Sequence, residues 1–155
     1  MGLDMHLYAE KYVSGYDFSS DEDKEMFKDI CKTIGADEFR DKETPSLTVK
    51  LTVGYWRKAN AIHGWFVKNI QQNEDDCGDY YISREELEIL RTTCKDVLND
   101  TSKAGELLPP NAGFFFGSQD IDEWYLSDLQ HTIDIIDKLE KSMPKDWQVI
   151  YHSSW

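Results

Sequence analysis

The chain has 155 residues, 40% of them hydrophobic and 13% aromatic, with 30 acidic against 17 basic side chains and a formal net charge of −13. That length and apolar content suit one compact domain, residues 1–155, and exclude wholesale disorder. The acidity opposes direct binding to nucleic-acid phosphates or an anionic membrane surface, and no apolar run approaches the roughly 20 residues of a bilayer span.

Residues 3–13 alternate, with Leu3, Met5, Leu7 and Ala9 on one face and Asp4, His6 and Tyr8 on the other, which predicts a strand. Ser19 and Ser20 ahead of Asp21, Glu22 and Asp23 form a helix start, and Gly35 stops that helix near Ile34. Residues 47–53 alternate again and are rich in β-branched side chains, a second strand. At 100° per residue, Tyr55, Ala59, Ile62, Phe66 and Ile70 fall on one stripe, which predicts a helix over residues 55–72 with Arg57 and Lys58 in its first turn. Residues 73–78 read as an acidic turn and 80–82 as a short strand. Ser83 with Glu86 matches a capping box opening a helix to about Leu98. Residues 101–111, with Pro109 and Pro110, read as a loop, and Gly113 to Gly117 as a short aromatic strand. A long helix is expected over residues 118–143, with Ile121, Tyr125, Leu129, Ile133, Ile136 and Leu139 inward and Pro144 closing it. Residues 147–155 give a last alternating strand.

This order lacks the regular βα alternation and glycine fingerprint of a doubly wound fold. It predicts an α+β protein: an antiparallel or mixed sheet of about four to five strands, with three to four helices packed mainly on one face. The terminal strands are expected to pair with each other or with the strand at 47–53. Cys31, Cys77 and Cys94 are odd in number and show no CxxC or CxxH spacing, which points to a reducing compartment and away from a disulfide framework or zinc site. Met1–Met5 lacks the basic and apolar regions of a secretory signal.

The charge is uneven along the chain. Residues 44–73 contain no Asp or Glu and hold Lys50, Arg57, Lys58 and Lys68, so this window is locally +4 while the remainder is −17. Two readings compete: a face that binds an anion or docks an acidic partner, and a central element whose cations pair with carboxylates inside the fold. Trp56, Arg57, Lys58, Asn60 and His63 join an indole to cationic and amide donors, a set able to stack a base and hold a phosphate. Core-edge packing is the competing reading for Trp56 and His63.

A second candidate is the Gly113–Gly117 segment, where Phe115 points away from Phe114 and Phe116 and where Gly117 and Ser118 offer backbone N–H groups ahead of a helix. Asp128 falls within the apolar arc of the long helix, so its carboxylate needs a partner, for which Arg57, Lys58 or His63 are candidates. Asp75, Asp76 and Asp79 read as a solvated turn, and the Asp17, Ser19, Asp21, Asp23 series fails as an EF-hand because Glu22 and Lys28 stand where Gly and Glu belong. No motif implies a metal or other cofactor, or marks a catalytic residue.

The stretches MGLDM (residues 1–5), YWRKANAIHGWFVKN (55–69), DDCGDYY (75–81), GFFFGSQDIDEWY (113–125) and YHSSW (151–155) resemble a family of small, functionally uncharacterised proteins of tailed bacteriophages and prophages. The resemblance covers about a third of the chain from end to end. It implies a viral or prophage accessory protein acting in the bacterial cytoplasm and transfers no functional residue. Three functions are carried forward. The first is a non-catalytic protein that binds a small anionic ligand, such as a nucleotide or defence signal, or a host protein. Trp56, Arg57, Lys58, Asn60, His63, Phe115, Ser118 and Asp128 are its candidate contacts. The second is an acidic decoy that blocks a host nucleic-acid-binding protein. The third is a small enzyme using His63 and Asp128 as acid and base.

Overall fold

Alternation in the opening residues sets the frame: in β1 (Asp4–Ser14) Met5, Leu7 and Ala9 are buried, while His6 and Tyr8 between them stay partly exposed. A computed structural model describes residues 2–113 and 116–155. It contains one antiparallel four-stranded sheet and five helices, an α+β fold. The remaining strands are β2 (Ser46–Arg57), β3 (Asp79–Ile82) and β4 (Gln148–Ser154), in the spatial order β2-β1-β4-β3. The helices are α1 (Asp21–Thr33), α2 (Asn60–Asn69), α3 (Arg84–Asn99), α4 (Ala104–Leu107) and α5 (Glu123–Ser142). The first and last strands therefore lie side by side, as expected, and β2 borders β1.

The chain forms two compact units, Met1–Ala9 with Thr52–Trp155, and Glu10–Leu51. In the smaller, Ser20 caps α1 by accepting from the Asp23 N–H at 3.1 Å, with three acidic residues in the first turn complementing the helix dipole. Gly35 ends the helix at φ +71°, a left-handed conformation that lets the Ala36 N–H return to the Cys31 carbonyl at 2.8 Å. Val13, Phe27, Cys31 and Ala36 form the core of this unit, joined by Leu47 and Val49.

In the larger unit one sheet face supplies Met5, Leu7, Trp56, Ile82, Val149 and Tyr151 to a core shared with α2, α3 and α5. Leu87, Leu90, Cys94 and Val97 line the inner face of α3, and Leu129, Ile133, Ile136 and Leu139 that of α5. Each fully buried aliphatic or aromatic side chain contributes about 1.5–3 kcal/mol. At Gly54 a Cβ would stand 3.0 Å from the Ile135 Cγ2, so only glycine allows α5 this close to β2. The Ser83–Glu86 capping box is present in full, with Ser83 accepting from the Glu86 N–H at 3.1 Å and Glu86 accepting from the Ser83 N–H at 2.8 Å. In β3 and β4, Tyr80 pairs with Tyr151 and Ile82 with Val149.

Four expectations require correction. Tyr55, Trp56 and Arg57 belong to β2 and not to a helix: they alternate exposed, buried, exposed, and the Lys58 N–H donates to the Leu3 carbonyl at 2.8 Å. Lys58, at φ +61°, then turns the chain into α2 two residues later. The long helix starts at Glu123, because Asp122 caps it by accepting from the Tyr125 N–H at 3.0 Å; Ile121 precedes it and is exposed. The stretch before Pro109 carries a 3-10 turn (Thr101–Lys103) and α4. Of the expected aromatic strand, Gly113, Phe116 and Gly117 lie in no strand, and the Phe116 N–H donates to the Gly113 carbonyl at 3.1 Å. Phe114 and Phe115 lie outside the described residues.

Candidate functional site

Where β2 ends and α2 begins, Arg57 and Lys58 are both exposed, and across from them run residues 117–122 and the first turns of α5. Between these walls lies a cavity of about 340 Å³, within the range that small-molecule sites occupy. Arg57, Lys58 and the first turn of α2 form one side; Gly117, Ser118, Asp120 and Asp122 form the other, with Trp124 and Asp128 contributed by α5. Five of the eight residues singled out from the sequence, Arg57, Lys58, Asn60, Ser118 and Asp128, thus meet at one place.

Asn60 fixes that geometry. Its side-chain amide donates to the Phe116 carbonyl at 3.1 Å and the Ser118 carbonyl at 2.7 Å, while its oxygen accepts from the Asn111 N–H at 3.1 Å. It is buried, lines the cavity, and through these bonds holds Asn111, Phe116 and Ser118 in place. Gly117 packs closely against Lys58, where a Cβ would meet the Lys58 Cβ at 3.3 Å, and its φ of +89° is a conformation suited to glycine. Ala59, the N-cap of α2, has no side-chain acceptor, so the first-turn N–H groups of α2 receive no side-chain cap beside this cavity.

The acidic wall is not uniform. Asp122 is occupied as the cap of α5, and Asp120 accepts from the Ser118 hydroxyl at 3.1 Å. Asp128 is half-buried, and no donor or cation of the protein bonds its carboxylate among the described residues. Burial pushes this carboxyl up to about 6, with His131 pulling it down and Asp122 adding to the rise. The expected partners do not pair with it: Arg57 and Lys58 share its cavity without forming an ion pair to it. Tyr125 forms part of the cavity lining and donates its hydroxyl to the Leu108 carbonyl at 2.8 Å.

Trp56 and His63 prove to be core residues. The Trp56 indole is buried edge-on against Phe66 and donates to the Thr132 hydroxyl at 2.9 Å. His63 is fully buried; its Nε2 lies 2.9 Å from the Asp75 carboxylate and its Nδ1 2.7 Å from the Tyr151 hydroxyl. A carboxylate only accepts, so Nε2 carries a proton toward Asp75, while Nδ1 and the Tyr151 hydroxyl share a hydrogen bond. Asp75, expected in a solvated turn, also accepts from the Trp155 indole at 3.1 Å. His63 is therefore held in a network of its own, apart from the cavity that Asp128 lines, and the structure does not assemble the expected His63–Asp128 acid–base pair.

Residue Phe115 lies outside the described residues. The expected anion site at a helix opening on Ser118 is also absent, since α5 starts five residues later. Sequence reasoning missed Trp124, which is 81% exposed at the cavity. The signal was present: an indole immediately preceding Tyr125, out of phase with the apolar stripe of α5. Among the described residues no group of three or more His, Cys, Asp or Glu side chains converges to hold a metal ion, and no helix is long and apolar enough to cross a membrane. No protein-family model, curated protein or solved structure matches the chain.

Proposed function

We propose that this protein is a phage or prophage accessory protein that binds a small anionic ligand of nucleotide size, without turning it over, in the host cytoplasm. The observation that supports this reading is the convergence of Arg57, Lys58 and the uncapped first turn of α2 on one cavity of about 340 Å³. A guanidinium and an ammonium are donors that suit a phosphate, and a partly enclosed site strengthens each of them. In a chain of net charge −13, Arg57 and Lys58, which form no ion pair among the described residues, are available to an incoming anion. The overall field repels anions at long range, so binding relies on these local contacts.

The test is a thermal-shift and calorimetric titration with inorganic phosphate, ribose 5-phosphate and the four ribonucleoside monophosphates. A ligand that binds only the folded state raises the melting temperature as its concentration passes Kd. The Arg57→Gln, Lys58→Gln double variant is expected to retain its fold, because both side chains are exposed, and to lose the shift. Absence of any response at millimolar concentrations of every anion would overturn the proposal.

A further inference from the structure

Asp128 sets a second requirement on whatever occupies the cavity. Of the three carboxylates there, Asp120 and Asp122 already accept hydrogen bonds from Ser118 and Tyr125, whereas half-buried Asp128 has no donor to either oxygen among the described residues. Its oxygens are not sealed from solvent and so remain open to donors brought by an occupant. An occupant with N–H groups at one end and negative charge at the other matches both walls of the cavity. Trp124 adds a third element: a strongly exposed indole lining the same cavity, whose face is open for a flat ring to stack on.

We infer, resting on the anion-binding reading above, that the ligand is a guanine nucleotide. Its phosphate would lie at Arg57 and Lys58, its base stacked on Trp124, and its N1–H and 2-amino group donating side by side to the Asp128 carboxylate. Base chemistry selects guanine. Two adjacent coplanar N–H donors match the two oxygens of a carboxylate, as the guanidinium of arginine does. Adenine and cytosine each place a ring-nitrogen acceptor beside their amino group, opposing one carboxylate oxygen with a lone pair. Uracil offers one N–H between two carbonyls. Hypoxanthine keeps the N1–H and lacks the 2-amino group, so it isolates the second bond.

Calorimetry at pH 7.5, where Asp128 is ionised, compares GMP, IMP, AMP, CMP, UMP and ribose 5-phosphate on the wild type and on Asp128→Asn and Trp124→Ala. The expected order is GMP over IMP over AMP, with at least tenfold between GMP and AMP. Asp128→Asn should abolish that preference while ribose 5-phosphate binds at least as tightly as to the wild type, since a like charge has left the cavity, and Trp124→Ala should weaken every nucleotide more than it weakens ribose 5-phosphate. Melting curves of both variants verify that they are folded. Equal binding of all four nucleotides, or a preference for another base, overturns the guanine assignment and leaves the anion site standing. A GMP preference that survives in Asp128→Asn overturns the assignment of base reading to Asp128. Failure of ribose 5-phosphate and all nucleotides to bind overturns the anion site itself.

Discussion

Asn60 holds the Ser118 carbonyl at 2.7 Å with its side-chain amide, joining the start of α2 to the segment that faces it across the cavity. Three backbone groups, from Asn111, Phe116 and Ser118, depend on this one side chain. Replacing it by alanine leaves them without their partner, a loss of about 1–3 kcal/mol for each group that water cannot reach. Asn60→Ala should therefore lower the urea midpoint and expose residues 111–118 to limited proteolysis. Asn60→Asp should do much the same, because a carboxylate cannot donate to the two carbonyls. Unchanged protease resistance in both variants would remove the latch.

Asp128 makes stability depend on pH in a stated direction. Burial raises its carboxyl from 3.8 to about 6 in the folded protein. Between about pH 4 and 6 the folded chain therefore keeps a proton that the unfolded chain has released. The contribution of this group is most favourable below about pH 4 and is lost as pH rises through 6. Asp128→Asn should melt higher than the wild type at pH 7, with the difference shrinking to nothing near pH 4. Melting curves across that range test it, and a variant that melts lower at pH 7 would contradict it.

The close approach at Gly54 predicts a coupling. Gly54→Ala puts a methyl 3.0 Å from the Ile135 Cγ2 and 3.2 Å from its Cδ1, an overpacking cost of about 1–3 kcal/mol. In combination with Ile135→Ala the two losses should sum to less than their separate values, since each substitution relieves the other. Strict additivity in denaturant titrations would mean that the backbone moves apart instead.

Thiol chemistry should distinguish the three cysteines. Burial pushes the Cys94 thiol up to about 12, Cys31 is also buried, and Cys77 is partly exposed. A thiol reagent at neutral pH should label Cys77 first, with Cys31 and Cys94 reacting only at the rate of unfolding. Mass spectrometry over time reads this directly, and rapid modification of Cys94 would show local opening of α3.

The parts of the fold that could be read from sequence were those where one local signal had no rival. Ser20 and Ser83 marked their helices, Gly35 ended α1, and alternation located β1. The α2 region failed at its start because Tyr55, Ala59 and Ile62 satisfy helical spacing while the pairing of β2 with β1 extends to Lys58, a long-range constraint that overrides local pattern. For the site, spacing along the chain suggested Arg57, Lys58, Ser118 and Asp128 but could not establish that Asn60 would bring them together. Trp56 and His63 were drawn into the core by Thr132, Tyr151 and Asp75, partners 76, 88 and 12 residues away in sequence.

The strand order β2-β1-β4-β3 has a consequence for biosynthesis. β1 begins at Asp4 and its neighbour β4 ends at Ser154, so β3 has no route into the sheet until β4 has been made. Closing so long a loop is a slow step, and the entropy lost precedes the contacts that repay it. On the ribosome the helices can form early, but β1 waits with one edge unpaired. A chaperone-depleted expression strain should therefore show aggregation of this protein during synthesis, which slowing translation would not relieve.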